Sequence, residues 1–127
     1  MLFLGADLMT DNMFVIIPSL NPDERLINTV EGMLDIGFKK IILVNDGSDA
    51  EHLKYFPKAT ENITVIHRKA NHGKGAALKV AFRHILNNYP NADGVVTVDG
   101  DGQHKPSDVL ACAEALDGIG KGAVLGC

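Results

Sequence analysis

The sequence has few of the residues that several large protein classes require. Its 127 residues include no tryptophan and two cysteines, Cys112 and Cys127. Their spacing matches neither a zinc site nor a disulfide framework, which is typical of a reducing compartment. The longest uninterrupted apolar runs are as short as Met13–Ile17. A helix that crosses a bilayer needs about 20 apolar residues. The start, MLFLGADLM, lacks the basic segment and cleavage site of a signal peptide. We therefore expect a cytoplasmic protein.

Positive charge is also scarce. The chain has twelve Lys and Arg residues and sixteen Asp and Glu residues, which gives a net charge of −4. Because phosphate binding needs a basic face, this balance argues against nucleic acid as a partner. The apolar fraction of 46%, with 22% charged residues, is enough for a hydrophobic core and excludes intrinsic disorder. The length predicts a single domain over residues 1–127.

Short apolar runs recur at wide intervals and predict strands. Their hydrophobicity is continuous, not alternating, which is typical of strands that are covered on both faces. The runs are Met13–Ile17, Ile41–Val44, Ile63–Ile66, Val95–Val98 and Ala123–Leu125.

Helical periods separate these runs. The first predicted helix has Asn21 as its N-cap, Pro22 at its first position and Gly37 at its end. The second covers about Ala76–Tyr89 and the third about Pro106–Leu116. Alternation of strands and helices predicts right-handed βαβ units, and hence a three-layer α/β domain with a mostly parallel, Rossmann-like sheet. In such a sheet ligands bind at the carboxyl ends of the strands, where every polar cluster of this chain falls.

Asp99 and Asp101 form the most informative of these clusters. Residues i and i+2 at the end of a strand point the same way, so the two carboxylates can converge on Mg²⁺ or Mn²⁺, and Gly100 leaves room for a bulky anionic ligand. The alternative is a loop whose aspartates cap turns. A second alternative is a haloacid-dehalogenase-type phosphatase, in which Asp99 is the nucleophile and Asp101 the general acid.

Asp46 directly follows a buried strand. Its carboxylate can accept a hydrogen bond from the ring N–H of uracil or guanine, which cytosine and adenine lack. The alternative is a turn that Asp46 or Asp49 caps.

The segment from Asn71 to Gly75 precedes a helix. Its backbone N–H groups and Lys74 are suited to a phosphate, although the motif is not a Walker A loop. Arg68 adds a second cation to this acidic edge, a combination that favours a metal–diphosphate ligand.

The four motifs together resemble family 2 glycosyltransferases of the GT-A fold. The matching segments are VIIPSLNPDERL (15–26), IILVNDGSD (41–49), VIHRKANHGKGAAL (65–78) and VVTVDGDGQHKPSDV (95–109). The DGDGQH run is similar to the branch that transfers sugars to polyprenyl phosphates. The resemblance implies hexosyl transfer from a UDP- or GDP-linked sugar to an acceptor such as a polyprenyl phosphate or a glycan.

The resemblance also implies site residues. Asp46 would contact the base and Pro18 would line its pocket, while Asp99 and Asp101 would hold the metal and diphosphate, with Gln103 completing the metal's surroundings. The other nucleotide-binding candidates are Asn21, Arg68, Gly73, Lys74 and Gly100. The family's usual Asp-Asp pair is Asn45-Asp46 here.

Family members continue beyond this length. The resemblance therefore implies that the chain is the donor-binding half, cut after the fifth strand, and that the acceptor half with the catalytic base lies past residue 127. An edge strand cut short favours self-association, and the whole protein would act at the cytoplasmic face of a membrane. A nucleotide-binding module without turnover is the non-enzymatic alternative. A receiver-type signalling domain is excluded, because the acids that it needs after the first and third strands are missing.

Overall fold

The computed structural model describes residues 12–102 and 105–111, and the backbone of 123–126. Five strands form one sheet: β1 (Met13–Ser19), β2 (Lys40–Asp46), β3 (Ile63–Arg68), β4 (Gly94–Thr97) and β5 (Ala123–Gly126). The helices are α1 (Glu24–Asp35), a 3₁₀ helix (Ala50–Tyr55) and α2 (Lys74–Asn88), and residues 106–111 are helical. The predicted α/β class is thereby confirmed, and the part of the predicted third helix after residue 111 lies outside the described residues.

The strand order places β1 at the centre of the sheet. The order is β3-β2-β1-β4-β5, and every neighbouring pair is parallel. The chain winds from β1 to β3 in one direction and then returns to the other side of β1 with β4. The carboxyl ends of β1 and β4 therefore flank the switch point of the sheet, where ligands of open α/β sheets bind.

Alternate residues of β1 enter two separate cores. Met13, Val15 and Ile17 pack with the apolar face of α1, whereas Phe14 and Ile16 pack with α2 on the opposite side. This alternation follows from the two-residue period of a strand, and it produces the three layers that continuous hydrophobicity predicts. Among the described residues no helix is both long and apolar enough to span a bilayer.

The start of α1 differs from the prediction. Asp23, not Asn21, is the N-cap, and its side chain accepts a hydrogen bond from the Arg25 backbone N–H. Asn21 cannot begin the helix because its φ is +50° and its side chain bonds to another loop. The end of α1 is as predicted: Gly37 has a φ of 112°, and its N–H and that of Phe38 bond to the last free carbonyls of the helix.

Candidate functional site

Two adjoining pockets open at the carboxyl edge of the sheet. The first, the Asp46 pocket, has a volume of about 300 Å³ and is lined by residues 18–20, Asp46, Asn71, Gly73 and Lys74. The second, the Asp99 pocket, has a volume of about 250 Å³ and is lined by residues 18–23, Arg25 and residues 99–101. Residues 18–20, at the end of β1, line both pockets, so the two pockets lie side by side.

The carboxylate of Asp46 is buried and accepts three hydrogen bonds. Its Oδ1 accepts from Arg68 Nη1 at 2.9 Å and, at a longer 3.4 Å, from the His72 backbone N–H. Its Oδ2 accepts from the Gly73 backbone N–H at 3.1 Å. A buried charge needs such partners, because burial removes its hydration. These contacts attach the loop before α2 to the end of β2.

The turn after β2 is made by Asn45, not by Asp46 as the turn hypothesis had it. Asn45 Oδ1 accepts from the Ser48 backbone N–H at 2.9 Å, and Asn45 Nδ2 lies 2.9 Å from His67 Nδ1. Asp49, the alternative cap, makes no side-chain cap hydrogen bond to the 3₁₀ helix. Asn45 therefore has a structural role at the position where the resembled family has its first aspartate.

Asn21 connects the loop after β1 to the loop after β2. Its backbone N–H donates to Ser48 Oγ at 2.8 Å, and its Oδ1 accepts from the Asp49 backbone N–H at 2.8 Å. The left-handed backbone conformation of Asn21, with φ at +50°, allows its backbone N–H and its side-chain oxygen to reach Ser48 and Asp49 together. These bonds fix the rim of the Asp99 pocket, which Asn21 lines.

The loop before α2 depends on two glycines. Gly73 has φ 91° and ψ 164°, a region that only glycine adopts readily, and its N–H is shared between Asp46 Oδ2 and Asn71 Oδ1. Gly47 has φ 82°, and a Cβ there would lie 2.6 Å from the backbone of Ala70 and Asn71. Both glycines are thus required for the loop to reach Asp46.

Lys74, the first residue of α2, bridges the two pockets electrostatically. Its Nζ lies 2.7 Å from Asp99 Oδ1, with the two side chains 59% and 42% exposed. The N-terminal end of α2 carries no acidic residue in its first turn, so its backbone N–H groups and Lys74 give this corner a positive character.

Arg25 is a second cation at the Asp99 pocket, and the sequence pattern did not indicate it. It pairs with Asp23 at 2.9 Å. Its pKa is raised, first by the hydrogen bond to Asp23 and in part by the charge of Asp101. The same hydrogen bond lowers the pKa of Asp23 below 3.8. Arg25 thus brings positive charge to the pocket wall that Asp101 shares.

Gly100 has a structural reason to be glycine. A Cβ at Gly100 would lie 2.9 Å from both Leu26 Cδ1 and Ser19 Oγ. The close approach brings the loop after β4 onto the end of β1. Ser19 Oγ is buried and has no hydrogen-bond partner within the part of the chain that the structure describes.

The donor set of the Asp99 pocket fits a hard divalent cation. Asp99 and Asp101 line one open pocket, and Mg²⁺ or Mn²⁺ is commonly held by one or two carboxylates together with water and substrate phosphates. Among the described residues, no group of three or more His, Cys, Asp or Glu side chains is placed so that it could hold a metal ion by itself. Gln103, the third predicted ligand, lies outside the described residues.

The structure brings the predicted residues together along one edge of the sheet. Eight of the candidates line one pocket or the other: Pro18, Asn21, Asp46, Gly73, Lys74, Asp99, Gly100 and Asp101. Arg68 is not part of either lining and instead pairs with Asp46. Asn71 and Ser19 are lining residues that the motifs did not single out, although both stand inside them.

Fold and site together define a doubly wound α/β domain with an acidic pair and a cationic helix start at its switch point. The family model for glycosyl transferase family 2 matches residues 14–127. The chain belongs to that family, which confirms the resemblance seen in the four motifs.

Three similar proteins match most of this chain but only part of their own length. An uncharacterized protein of Methanocaldococcus jannaschii is 32% identical over 78% of this chain and 39% of its own length. A UDP-N-acetylglucosamine--dolichyl-phosphate N-acetylglucosaminyltransferase of Methanococcus voltae is 26% identical over 93% of this chain and 53% of its own length. An undecaprenyl-phosphate 4-deoxy-4-formamido-L-arabinose transferase of Edwardsiella ictaluri is 28% identical over 81% of this chain and 33% of its own length. The chain thus spans a third to a half of the length of these relatives.

Proposed function

We propose that this chain binds a nucleoside diphosphate sugar together with Mg²⁺ or Mn²⁺, and that it supplies the donor site of a glycosyltransferase. The observation that carries the proposal is the pair of adjoining pockets at the carboxyl edge of the sheet. One contains the buried carboxylate of Asp46, and the other contains Asp101 together with Asp99, which pairs with Lys74. A base and a diphosphate need these two environments side by side.

The Asp99 pocket suits the diphosphate. Transfer of the sugar breaks its bond to the diphosphate and leaves negative charge on the departing group. A divalent ion on Asp99 and Asp101 would supply Lewis acid chemistry at that charge. Lys74 and the backbone N–H groups at the start of α2 would hold the phosphate oxygens, and Gln103 is a candidate third ligand.

Ser19 supports a polar ligand at the junction of the pockets. Buried polar atoms without a partner are rare, and Ser19 lines both pockets. Pro18 and Leu20 beside it form the apolar part of the same wall, which suits the face of a base or sugar ring.

The acceptor and the remainder of the reaction are proposed from the relatives. Two of them are named as transferases that act on dolichyl phosphate and undecaprenyl phosphate. We propose a polyprenyl phosphate as acceptor, at the cytoplasmic face of a membrane, with the catalytic base in sequence beyond residue 127. The phosphatase alternative used the same Asp99 and Asp101, and the family assignment gives it no support.

Calorimetry on the 127-residue chain tests the donor site. UDP or GDP should bind in the presence of Mn²⁺, and most of that binding should disappear when a chelator is added. Equal affinity with and without the metal would refute the metal site. Absence of binding by any nucleoside diphosphate would refute the donor site itself.

A further inference from the structure

We propose that β3 is an interface at which two copies of this chain join their sheets edge to edge, with the two β3 strands antiparallel. β3 is an outer strand of the sheet, on the side opposite β5. Its segment Ile63–His67 contains no proline, lysine or acidic residue, although such residues commonly protect an exposed edge from pairing. No residue of β3 lines the Asp46 pocket or the Asp99 pocket, so the interface leaves the proposed donor site open.

The backbone of β3 bonds to β2 with every second residue. In a parallel pair, a residue that bonds to one neighbouring strand is followed by a residue whose N–H and C=O point to the other side. The Asn62 C=O accepts from the Ile41 N–H of β2 at 2.9 Å, and the register of the two strands continues from that bond. The even-numbered residues of β3 therefore bond to β2, and the odd-numbered ones point outward.

Two of the three outward residues have backbone groups to offer. Ile63 is satisfied within the chain, because its N–H donates to Thr60 Oγ1 at 3.1 Å and its C=O accepts from the Thr60 N–H at 2.9 Å. Val65 and His67 have no backbone hydrogen-bond partner on this side in the part of the chain that the structure describes. The outer edge of β3 thus presents two N–H and two C=O groups.

These backbone groups are complementary to those of a second copy. When two β3 strands meet antiparallel about a two-fold axis at Ile66, Val65 of each copy lies opposite His67 of the other. Each of these two pairs exchanges two N–H···O=C bonds, so the outward groups of Val65 and His67 are satisfied in both copies. The two Ile66 side chains then lie opposite each other at the axis. Each is apolar and already partly buried against the core below α2, so their contact buries further apolar surface.

The charges beside β3 favour the same arrangement. Glu61 precedes the strand, Lys69 follows it, and both are exposed. Antiparallel pairing brings Glu61 of each copy beside Lys69 of the other, whereas parallel pairing would bring like charges together. The axis makes this contact twice, which fits a second copy of the chain as the partner.

Sedimentation velocity over a wide range of concentrations tests the interface by charge reversal. The 127-residue chain should show a monomer–dimer equilibrium. Glu61→Lys and Lys69→Glu should each raise the dissociation constant of the dimer about tenfold, because each places two pairs of like charges at the interface. The double variant should restore the wild-type constant, and an equimolar mixture of the single variants should form the heterodimer equally well. Glu31→Lys is the matched control, since it makes the same change at an exposed position of α1, and the constant should not change. A chain that is monomeric at all concentrations, or a dimer that neither single reversal weakens, would overturn the inference.

Hydrogen exchange tests whether β3 is the strand that pairs. The amide protons of Val65 and His67 should exchange about tenfold more slowly when the dimer predominates than when the monomer does. Those of Thr64 and Ile66 bond to β2 in both forms and serve as the internal reference. A dimer in which the Val65 and His67 amides show no such dependence on concentration would overturn the inference. Calorimetry of UDP with Mn²⁺ on Glu61→Lys should give the wild-type affinity, so a failure of this interface and a failure of the donor site are measured separately.

Discussion

Arg68 Nη1 lies 2.9 Å from Asp46 Oδ1, and the two side chains are only 17% and 6% exposed. The two residues are register partners at the last positions of β3 and β2. The ion pair therefore stands at the carboxyl edge of the sheet, and it holds one oxygen of the carboxylate that lines the Asp46 pocket. Asp46 accordingly has a structural role as well as the proposed role in base recognition.

Removing both members of this pair should cost less stability than the two single removals added together. Arg68→Met leaves the Asp46 charge buried with only backbone partners, and Asp46→Ala leaves a partly buried guanidinium without its carboxylate. Each single variant should lose about 3 kcal/mol of unfolding free energy, and the double variant should lose less than the sum. Urea unfolding of the four proteins measures the coupling. Strictly additive losses would mean that the pair contributes nothing specific.

Gly47→Ala should disrupt the loop that reaches Asp46. The new Cβ would lie 2.6 Å from the backbone of Ala70 and Asn71, at a φ of 82° that alanine disfavours. We expect a loss of about 2–4 kcal/mol, together with weaker nucleotide binding. Gly75→Ala is the matched control, since a Cβ there meets nothing within 4 Å and Gly75 is helical. That change should be neutral or stabilise the domain by up to about 1 kcal/mol. Equal behaviour of the two variants would contradict the steric argument.

The sheet and its edge could be predicted from the sequence because each strand has a continuous apolar run and each run ends in polar residues. The five predicted runs all fall on observed strands, within two residues at each end. The predicted N-cap of α1 was wrong because Asn21 and Asp23 are both good N-cap residues when only the local sequence is considered. The choice between them depends on Ser48 and Asp49, which come from another loop.

The interior of the site could not be predicted to the same degree. Motifs place Asp46 and Arg68 at one edge but leave their pairing undetermined, because pairing depends on the register between β2 and β3. The ends of the two apolar runs offered a clue, since Val44 and Ile66 are register partners two residues before this pair. The resemblance identifies Asn45 only as the position where the family's first aspartate is missing. In the structure the Asn45 amide contacts Ser48 and His67, so it stabilises the turn after β2.

Asp99→Asn and Asp101→Asn should weaken binding without unfolding the domain. Both side chains line an open pocket, and each change removes a negative charge from the proposed metal site. The affinity for UDP with Mn²⁺ should fall by about 1–3 kcal/mol, with little change in the melting temperature. Calorimetry and thermal unfolding on the same samples provide both values. Unchanged binding with a lower melting temperature would show that the aspartates are structural.

The Asp23–Arg25 pair predicts a pH dependence. The hydrogen bond from Arg25 lowers the pKa of Asp23 in the folded chain below 3.8. A lowered pKa means that the carboxylate stabilises the folded state above pH 3.8, and that this contribution is lost as the pH falls through the lowered value. Asp23→Asn keeps a cap acceptor but removes the charge. Its stability deficit, measured by thermal unfolding, should therefore disappear in strong acid. A deficit that persists at all pH values would assign the effect to the cap alone.

Lys74 should have opposite effects on metal and nucleotide binding. Its ammonium lies 2.7 Å from Asp99 Oδ1, so it competes with a divalent cation for that oxygen when no nucleotide is bound. With a diphosphate present, the same ammonium is free to turn to the phosphate oxygens. Lys74→Gln should therefore leave the affinity for Mn²⁺ alone unchanged or higher, and should weaken UDP with Mn²⁺ by about 1–3 kcal/mol.

Titration of free Mn²⁺ by electron paramagnetic resonance measures the first effect, and calorimetry with UDP measures the second. Lys79→Gln is the control, because Lys79 is an exposed residue of the same helix that lines neither pocket. It should change neither affinity. If Lys74→Gln weakened Mn²⁺ alone as much as it weakened UDP with Mn²⁺, Lys74 would be supporting the fold of the Asp99 pocket. If it changed neither, the contact with Asp99 would be a surface ion pair with no part in binding.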